Sequence, residues 1–230
     1  MKLIGRVVLM AEMHGRDLIR RHVALGLLVA LPLSFYLASA GGDRMAPVTG
    51  GIGMSFAVSG AALFSIMSAR AVDQRLVLAG YRPVELLLGR LGFLGPLALA
   101  LAAGFTALMA RLSHPTRIWI VGLGLAAVAL QAVPFGLAVG AAVPRELEGT
   151  LVVIGVIGVQ LGSRSNTAVS KALPFYGPKR IIQAGLEHHG ALLLPALHTL
   201  VYGLALLIVS RVLISRRVYV RKPEPTDPTA

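Results

Sequence analysis

The feature that most constrains this chain is a series of six apolar segments that carry few charged residues. Each is close to the length of about 20 residues that a helix needs to cross a hydrocarbon core about 30 Å thick. The chain of 230 residues is 56% hydrophobic and 14% charged, whereas soluble domains average about 25% charged residues. We therefore expect an all-α integral membrane protein with six transmembrane helices. The predicted spans are 23–39, 48–68, 91–110, 118–143, 147–162 and 192–214.

The segments outside the spans divide the chain into three parts. Residues 1–22 have apolar residues near helical spacing among several arginines, which predicts an amphipathic helix in the membrane interface. Residues 23–214 form the transmembrane domain, and residues 215–230 form a basic and then disordered tail. A signal peptide cut near Ala38-Ser39-Ala40 is the alternative for the first part of the chain, because these small residues resemble a cleavage site.

Charge asymmetry predicts the orientation. The chain has 22 Lys and Arg against 10 Asp and Glu, a formal net charge of +12. With six spans and the N-terminus in the cytoplasm, 15 of the 22 basic residues lie inside and 7 outside, as the positive-inside rule requires. We expect a multi-pass protein of a cell membrane, the bacterial inner membrane, with both termini cytoplasmic.

The composition also excludes some classes of function. No basic groove alternates with aromatic residues, so the charge does not indicate nucleic-acid binding. The absence of cysteine excludes disulfides and thiolate metal sites.

One connection between predicted spans carries the clearest motif. Residues 75–90 read RLVLAGYRPVELLLGR, and this run resembles the first cytoplasmic loop of type-2 ABC transporter permeases. The proline turn Leu173-Pro174 is similar to the one that precedes the last helix of that family. The order of parts also resembles the family: interfacial helix, two spans, cytoplasmic coupling helix, three spans, an external re-entrant or helical region, and a last span. The acidic-Arg start common in the family is present only as Asp73-Gln74-Arg75.

The resemblance implies that the chain is the permease subunit of an ABC exporter for an amphiphilic drug, peptide or lipid. It implies a separate ATP-binding subunit, a second permease copy in a homo- or heterodimer, and the lipid bilayer as partners. Mg-ATP would bind the partner subunit, and this chain would hold no cofactor and no catalytic residue. Residues of the coupling helix would contact that subunit, and a second contact would come from the next inside loop. The coupling residues are Arg75, Gly80, Tyr81, Arg82, Pro83 and Glu85, and the second contact is Arg145 and Glu146.

The chemistry of the coupling segment agrees with a short helix. Pro83 suits a first helical position, where its missing N–H has no partner to lose, and Glu85 in the first turn suits the helix dipole. Leu86, Leu87 and Leu88 are expected to face the bilayer. A plain interfacial helix that docks no partner is the alternative.

Polar residues inside the spans are the remaining candidates. Gln131, Gln160 and His198 either bond a neighbouring helix or line a translocation path. Gly136 and Gly140 have G-x-x-x-G spacing, which predicts a close helix seam within the chain or at a dimer interface.

The external stretch Glu187-His188-His189 suggests a metal site only weakly. Adjacent histidines on a helix point about 100° apart, so we expect no metal there. A membrane-embedded enzyme that uses this cluster and an ATP-independent carrier remain the alternative functions.

Overall fold

The computed structural model describes residues 3–20, 22–39, 45–163, 167–187 and 190–218. Helices make up 89% of these residues and no strand is found among them. The helices are α1 (Leu3–Arg20), α2 (His22–Ser39), α3 (Ala46–Ser68), α4 (Arg70–Leu78), α5 (Pro83–Leu112), α6 (Ile118–Ala142), α7 (Glu146–Gly162), α8 (Ala168–Ala172), α9 (Tyr176–Leu186) and α10 (Leu193–Val218). Of the predicted tail 215–230, residues 215–218 continue helix α10, and the rest lies outside these ranges. Ala40 of the possible cleavage site, His188 and His189 also lie outside them.

Five of the described helices are long and apolar enough to cross a membrane, namely α2, α3, α5, α6 and α10. This confirms an all-α multi-pass architecture. The fifth predicted span, 147–162, does form a helix, α7, but it has 17 residues. At 1.5 Å per residue it is about 25 Å long, which is shorter than the hydrocarbon core. The count of six spans therefore stays a prediction.

The bundle has inner and outer helices. In an apolar stretch of 18 residues of each helix, 72% of the residues in α3 and 61% in α6 are buried within the chain. The share is 17% in α2 and 11% in α10. The outer helices expose rows of leucine and valine that only a lipid or another apolar surface can cover. Because charged groups are nearly absent from these faces, the arrangement is that of a membrane protein.

The tightest helix contact explains the G-x-x-x-G spacing. A Cβ added at Gly136 would lie 2.1 Å from the Ser59 carbonyl oxygen, and one at Gly140 would lie 3.0 Å from that of Leu63. Ser59 Oγ also donates to the Ala132 carbonyl at 3.2 Å, which ties α3 to α6. The predicted seam is therefore confirmed as one within the chain, between α3 and α6, and not as a dimer interface.

The structure corrects the predicted boundary between coupling helix and third span. We expected a short helix near residue 83 and a separate span over 91–110. Instead α5 runs without a break over 30 residues from Pro83, a length of about 45 Å. Gly89 and Pro96 lie on either side of the point where the charged residues end, and the helix continues through both. The segment from Pro83 to Arg90 is thus the end of a spanning helix.

The region before the last helix folds back along α6. The Phe175 ring lies 5.5 Å from that of Phe135, edge to face. Further along α9, the Gly185 carbonyl accepts a hydrogen bond from the Arg117 amide at 3.1 Å. Because Arg117 precedes α6 and Phe135 lies well inside it, the segment from Phe175 to Gly185 runs antiparallel to the first part of α6.

Candidate functional site

The turn between α4 and α5 is a closed structure built by one glycine. Gly80 has φ +90°, a conformation that costs glycine little and other residues more. The Tyr81 amide donates to the Leu76 carbonyl and the Gly80 amide to the Val77 carbonyl, each at 3.0 Å. These two bonds form a Schellman motif with glycine at the position after the helix cap. Tyr81 and Leu76 both pack against the core, so the turn is held in one conformation.

The first turn of α5 is capped from within. Pro83 is the first helical residue, as predicted, and Arg82 before it is extended. Glu85 Oε2 accepts a hydrogen bond from the Arg82 amide at 2.8 Å. This bond satisfies an amide at the helix start that has no partner inside the helix, and it places a carboxylate at the positive end of the helix dipole. The helix start is therefore fixed next to the glycine turn.

Arg6 of α1 clamps this turn from the side. Its Nη1 donates to the Gly80 carbonyl at 3.1 Å and lies 3.5 Å from Glu85 Oε2. Its guanidinium carbon lies 5.0 Å from the centre of the Tyr81 ring, a cation–π contact. One turn further along α1, Met10 packs where a Cβ at Gly89 would lie only 2.4 Å from the Met10 Cβ. The N-terminal helix and the turn thus form one unit.

Beneath the turn lies a buried ion pair that the sequence did not reveal. Arg90 is fully buried, and its Nη2 donates to both Asp73 carboxylate oxygens, at 2.9 and 2.7 Å. Burial raises the pKa of the Asp73 carboxyl, and the Arg90 guanidinium opposes this by stabilising the carboxylate. The pair joins α4 to α5 across 17 positions of sequence. Asp73 begins the part of the motif that resembles the permease family least, yet its carboxylate anchors α4 to α5.

The predicted coupling residues divide into exposed and buried groups. Arg75, Gly80 and Arg82 are exposed, Tyr81 and Pro83 are partly exposed, and Glu85 is buried. Glu85 therefore supports the turn from inside and presents no surface to a partner. The expectation that three leucines face the bilayer was wrong for Leu86 and Leu87, which are 0% and 5% exposed, and right in exposure for Leu88 at 39%. The reason is that α1 and the rest of the bundle cover this face of α5.

The second predicted contact lies at the same end of the molecule. Arg145 and Glu146 begin α7 and are both exposed. Just before them, the Val143 carbonyl accepts a hydrogen bond from Arg70 Nη2 of α4 at 3.2 Å. The structure therefore brings the α6–α7 connection next to the start of α4, and the two predicted contact segments share one end of the bundle.

The three intramembrane candidates all contact the α8–α9 segment. Gln131 Nε2 donates to the Pro174 carbonyl. The Gln160 carbonyl accepts from Lys179, while its side-chain amide is buried without a hydrogen-bond partner in the described part of the chain. His198 Nε2 lies 2.9 Å from the Lys171 carbonyl, and its ring stacks on Tyr202. None of the three lines the small cavity of about 10 Å³ in the bundle. The side chains of Gln131 and His198 bond this segment, whereas Gln160 contributes only its backbone carbonyl.

Lys179 is a buried cation, although the sequence alone places it among the seven basic residues expected outside the membrane. It is 8% exposed, and its Nζ donates to the carbonyls of Gln160 and Ser163 at 3.3 and 3.4 Å. It lies in α9, outside the five candidate spans, and burial lowers its pKa, with Arg180 adding to the effect. A cation at these last carbonyls of α7 opposes the negative end of the helix dipole. The only signal in the sequence was the apolar run that follows it.

The prediction that Glu187-His188-His189 holds no metal concerns residues that lie mostly outside the described ranges. Glu187 follows α9, but its neighbours His188 and His189 lie outside the described residues. Within the described ranges, no group of three or more His, Asp or Glu side chains is placed to hold a metal ion.

No protein-family model matches this chain, and no curated protein is significantly similar to it.

Proposed function

We propose that this chain is the membrane-spanning permease subunit of an ABC-type exporter that moves an amphiphilic substrate outward. ATP bound with Mg²⁺ and hydrolysed on a separate subunit would drive the movement, and a second permease copy would complete the pathway. The observation that carries this proposal is the clamped α4–α5 turn. It presents exposed cations at one end of a helix that continues into the bundle.

The turn has the mechanical properties that coupling requires. A partner that moves Arg82 or Pro83 also moves the start of α5, because no flexible residue separates them. Arg6 links the same turn to α1, and the Asp73–Arg90 pair links it to α4. A displacement at the turn is therefore passed to packed helices, which shift as units and not by continuous deformation. A loosely tethered loop would absorb such a displacement.

The proposed topology has six crossings with both termini in the cytoplasm. In this scheme α7 crosses most of the bilayer, and α8 with α9 occupies the outer part as a re-entrant region. The contacts of Lys179 with the end of α7 support it, because they place α9 directly beyond that end. A reporter fused after Arg217 is expected to be cytoplasmic, and an external signal would contradict the six-span scheme.

The coupling test uses surface charge, so that the fold is preserved. The tagged chain is co-expressed with the products of the neighbouring genes, solubilised in detergent and pulled down, and an ATP-binding subunit is looked for among the proteins that co-purify. Arg82→Glu and Arg75→Glu are expected to reduce recovery of that subunit about fivefold or more, since charge reversal at a contact repels the partner.

Arg16→Glu is the matched control, because Arg16 is an exposed arginine of α1 outside the turn. It is expected to leave recovery unchanged. Recovery of no ATP-binding subunit with the wild-type chain, or equal losses in all three variants, would contradict the proposed docking site.

A further inference from the structure

A polar cleft opens beside α4, on a different set of residues from the coupling turn. Its volume is about 240 Å³, and its lining residues are Arg70, Asp73, Gln74 and Arg217. Arg70 and Gln74 are exposed, Arg217 is partly exposed, and Asp73 forms the floor. The cleft therefore lies where α4 meets the end of α10.

The cations of this cleft exceed its acids. Asp73 is the one carboxylate among the lining residues, and Arg90 already holds both of its oxygens from below. Arg70 and Arg217 thus bring two positive charges that no described carboxylate within salt-bridge distance neutralises. An anion in the cleft would be attracted by both.

Each arginine is also fixed in position by a helix end. Arg70 Nη2 donates to the Val143 carbonyl, and Arg217 Nη1 donates to the Gly140 carbonyl, both at the end of α6. A guanidinium has five N–H donors, so these bonds leave further donors on both side chains. Two guanidiniums held in this way are already placed for an anion, and little side-chain freedom remains to be lost on binding.

The position of the cleft favours a lipid as the source of that anion. Arg217 is the last residue of the candidate span in α10, and Val212 on the same helix is 43% exposed. On α4, Val72 beside Asp73 is 45% exposed. The two helices that line the cleft thus both expose apolar side chains near the end of a candidate span. Anionic headgroups are attracted to such basic positions at the membrane surface.

We propose that this cleft binds the phosphate of an anionic phospholipid, with Arg70 and Arg217 as the recognition residues and Gln74 at the rim. The proposal concerns the isolated chain and does not depend on the proposed exporter function. It adds a lipid site to the end of the bundle that carries the coupling turn.

The test titrates the detergent-solubilised full chain with dioctanoyl phosphatidylglycerol, dioctanoyl phosphatidylcholine and inorganic phosphate, followed by native mass spectrometry. Gln74 is the residue to vary, because its side chain is exposed and makes no hydrogen bond to the described residues. Gln74→Glu is expected to weaken phosphatidylglycerol binding about fivefold, and Gln74→Lys to strengthen it by a similar factor. Arg70→Gln is expected to weaken it about fivefold as well.

Arg145→Gln is the matched control, since it removes an exposed positive charge at the same end but outside the cleft. It is expected to leave binding within twofold of wild type. Equal effects of Gln74→Glu and Arg145→Gln, or equal binding of the two lipids, would overturn the site. Inorganic phosphate that binds as tightly as the lipid would overturn the lipid source. If Gln74→Glu instead weakens recovery of an ATP-binding subunit and leaves lipid binding unchanged, the cleft serves a protein partner and the proposal fails.

Discussion

The two ends of the bundle hold their polar groups in different ways. At the end with α1 and α4, Arg70 and Arg217 bond backbone carbonyls, but two other cations pair with buried carboxylates. These pairs are Arg90 with Asp73 and Arg6 with Glu85. At the end with α8 and α9, polar side chains bond backbone carbonyls. Lys179 binds the end of α7, and His198 and Tyr202 bind the end of α8. No carboxylate within the described ranges lies at salt-bridge distance from Lys179.

This difference predicts that removal of a polar side chain destabilises the two ends to different extents. Where charges are paired, removal of one partner leaves the other buried and unpaired, which is costly. Where a side chain bonds a carbonyl, its removal leaves one carbonyl oxygen without a hydrogen bond, and the loss of stability is smaller. The paired end should therefore be sensitive to charge changes, and the carbonyl-bonded end to the loss of individual donors.

The largest effect is expected for Asp73→Ala. It leaves the fully buried Arg90 without its carboxylate and should lower the free energy of unfolding by about 3–5 kcal/mol. Thermal unfolding in detergent, followed by circular dichroism, measures the change. Glu12→Ala is the control, because the Glu12–Arg16 pair is exposed and should contribute at most about 1 kcal/mol. The double variant Asp73→Leu/Arg90→Met should recover most of the loss; equal losses in the double and single variants would refute the pair as the cause.

A smaller loss is expected for Lys179→Gln, at most about 1 kcal/mol at neutral pH, because the lost bonds to α7 are partly offset by removing the cost of burying the charge. It also has a pH signature. Since the folded pKa of Lys179 lies below its ordinary value of 10.5, the unfolded chain binds more protons between the two values. Wild-type stability should rise with pH in that window, and the variant should lose this rise.

Lys171→Gln, at an exposed lysine of α8, is the control and should keep the same pH slope as wild type. Identical slopes for wild type and Lys179→Gln would show that Lys179 titrates normally.

Gly80→Ala should destabilise the chain by about 1 kcal/mol, because an added Cβ is unfavourable at φ +90°. Gly95→Ala offers the opposite case. That glycine is inside α5 with open space around it, so alanine should be neutral or stabilising by about 0.5–1 kcal/mol. Hydrogen exchange of the Tyr81 amide measures the loosened turn directly, and unchanged protection in Gly80→Ala would contradict the motif.

The smallest effect is expected for Tyr202→Phe, about 0.5 kcal/mol, because it removes one hydroxyl that donates to the Ala172 carbonyl at 2.6 Å. Tyr81→Phe makes the same change at the paired end, where the ring and not the hydroxyl contacts Arg6, and should have no measurable effect on stability. Equal losses in the two variants would remove this difference between the ends.

Local patterns in the sequence were sufficient for some elements of the fold. Hydropathy predicted the helices that form α2, α3, α6 and α10, since each long apolar run can only satisfy its backbone as a helix. The Pro83 helix start and the role of Glu85 in its first turn followed from their spacing. The continuation of that helix into the apolar span did not follow, because a charged segment and an apolar one look like two elements although one helix joins them.

The sequence by itself determined that the chain is apolar, helical and multi-pass, because composition and periodicity are properties of neighbouring residues. Tertiary structure alone decided that Asp73 meets Arg90, that Arg6 reaches the α4–α5 turn, and that Lys179 is buried at the end of α7. Each of these contacts joins residues on different helices, at separations that helical periodicity does not relate. Their pairing depends on how the helices pack, and so the sites emerge only when the bundle is assembled.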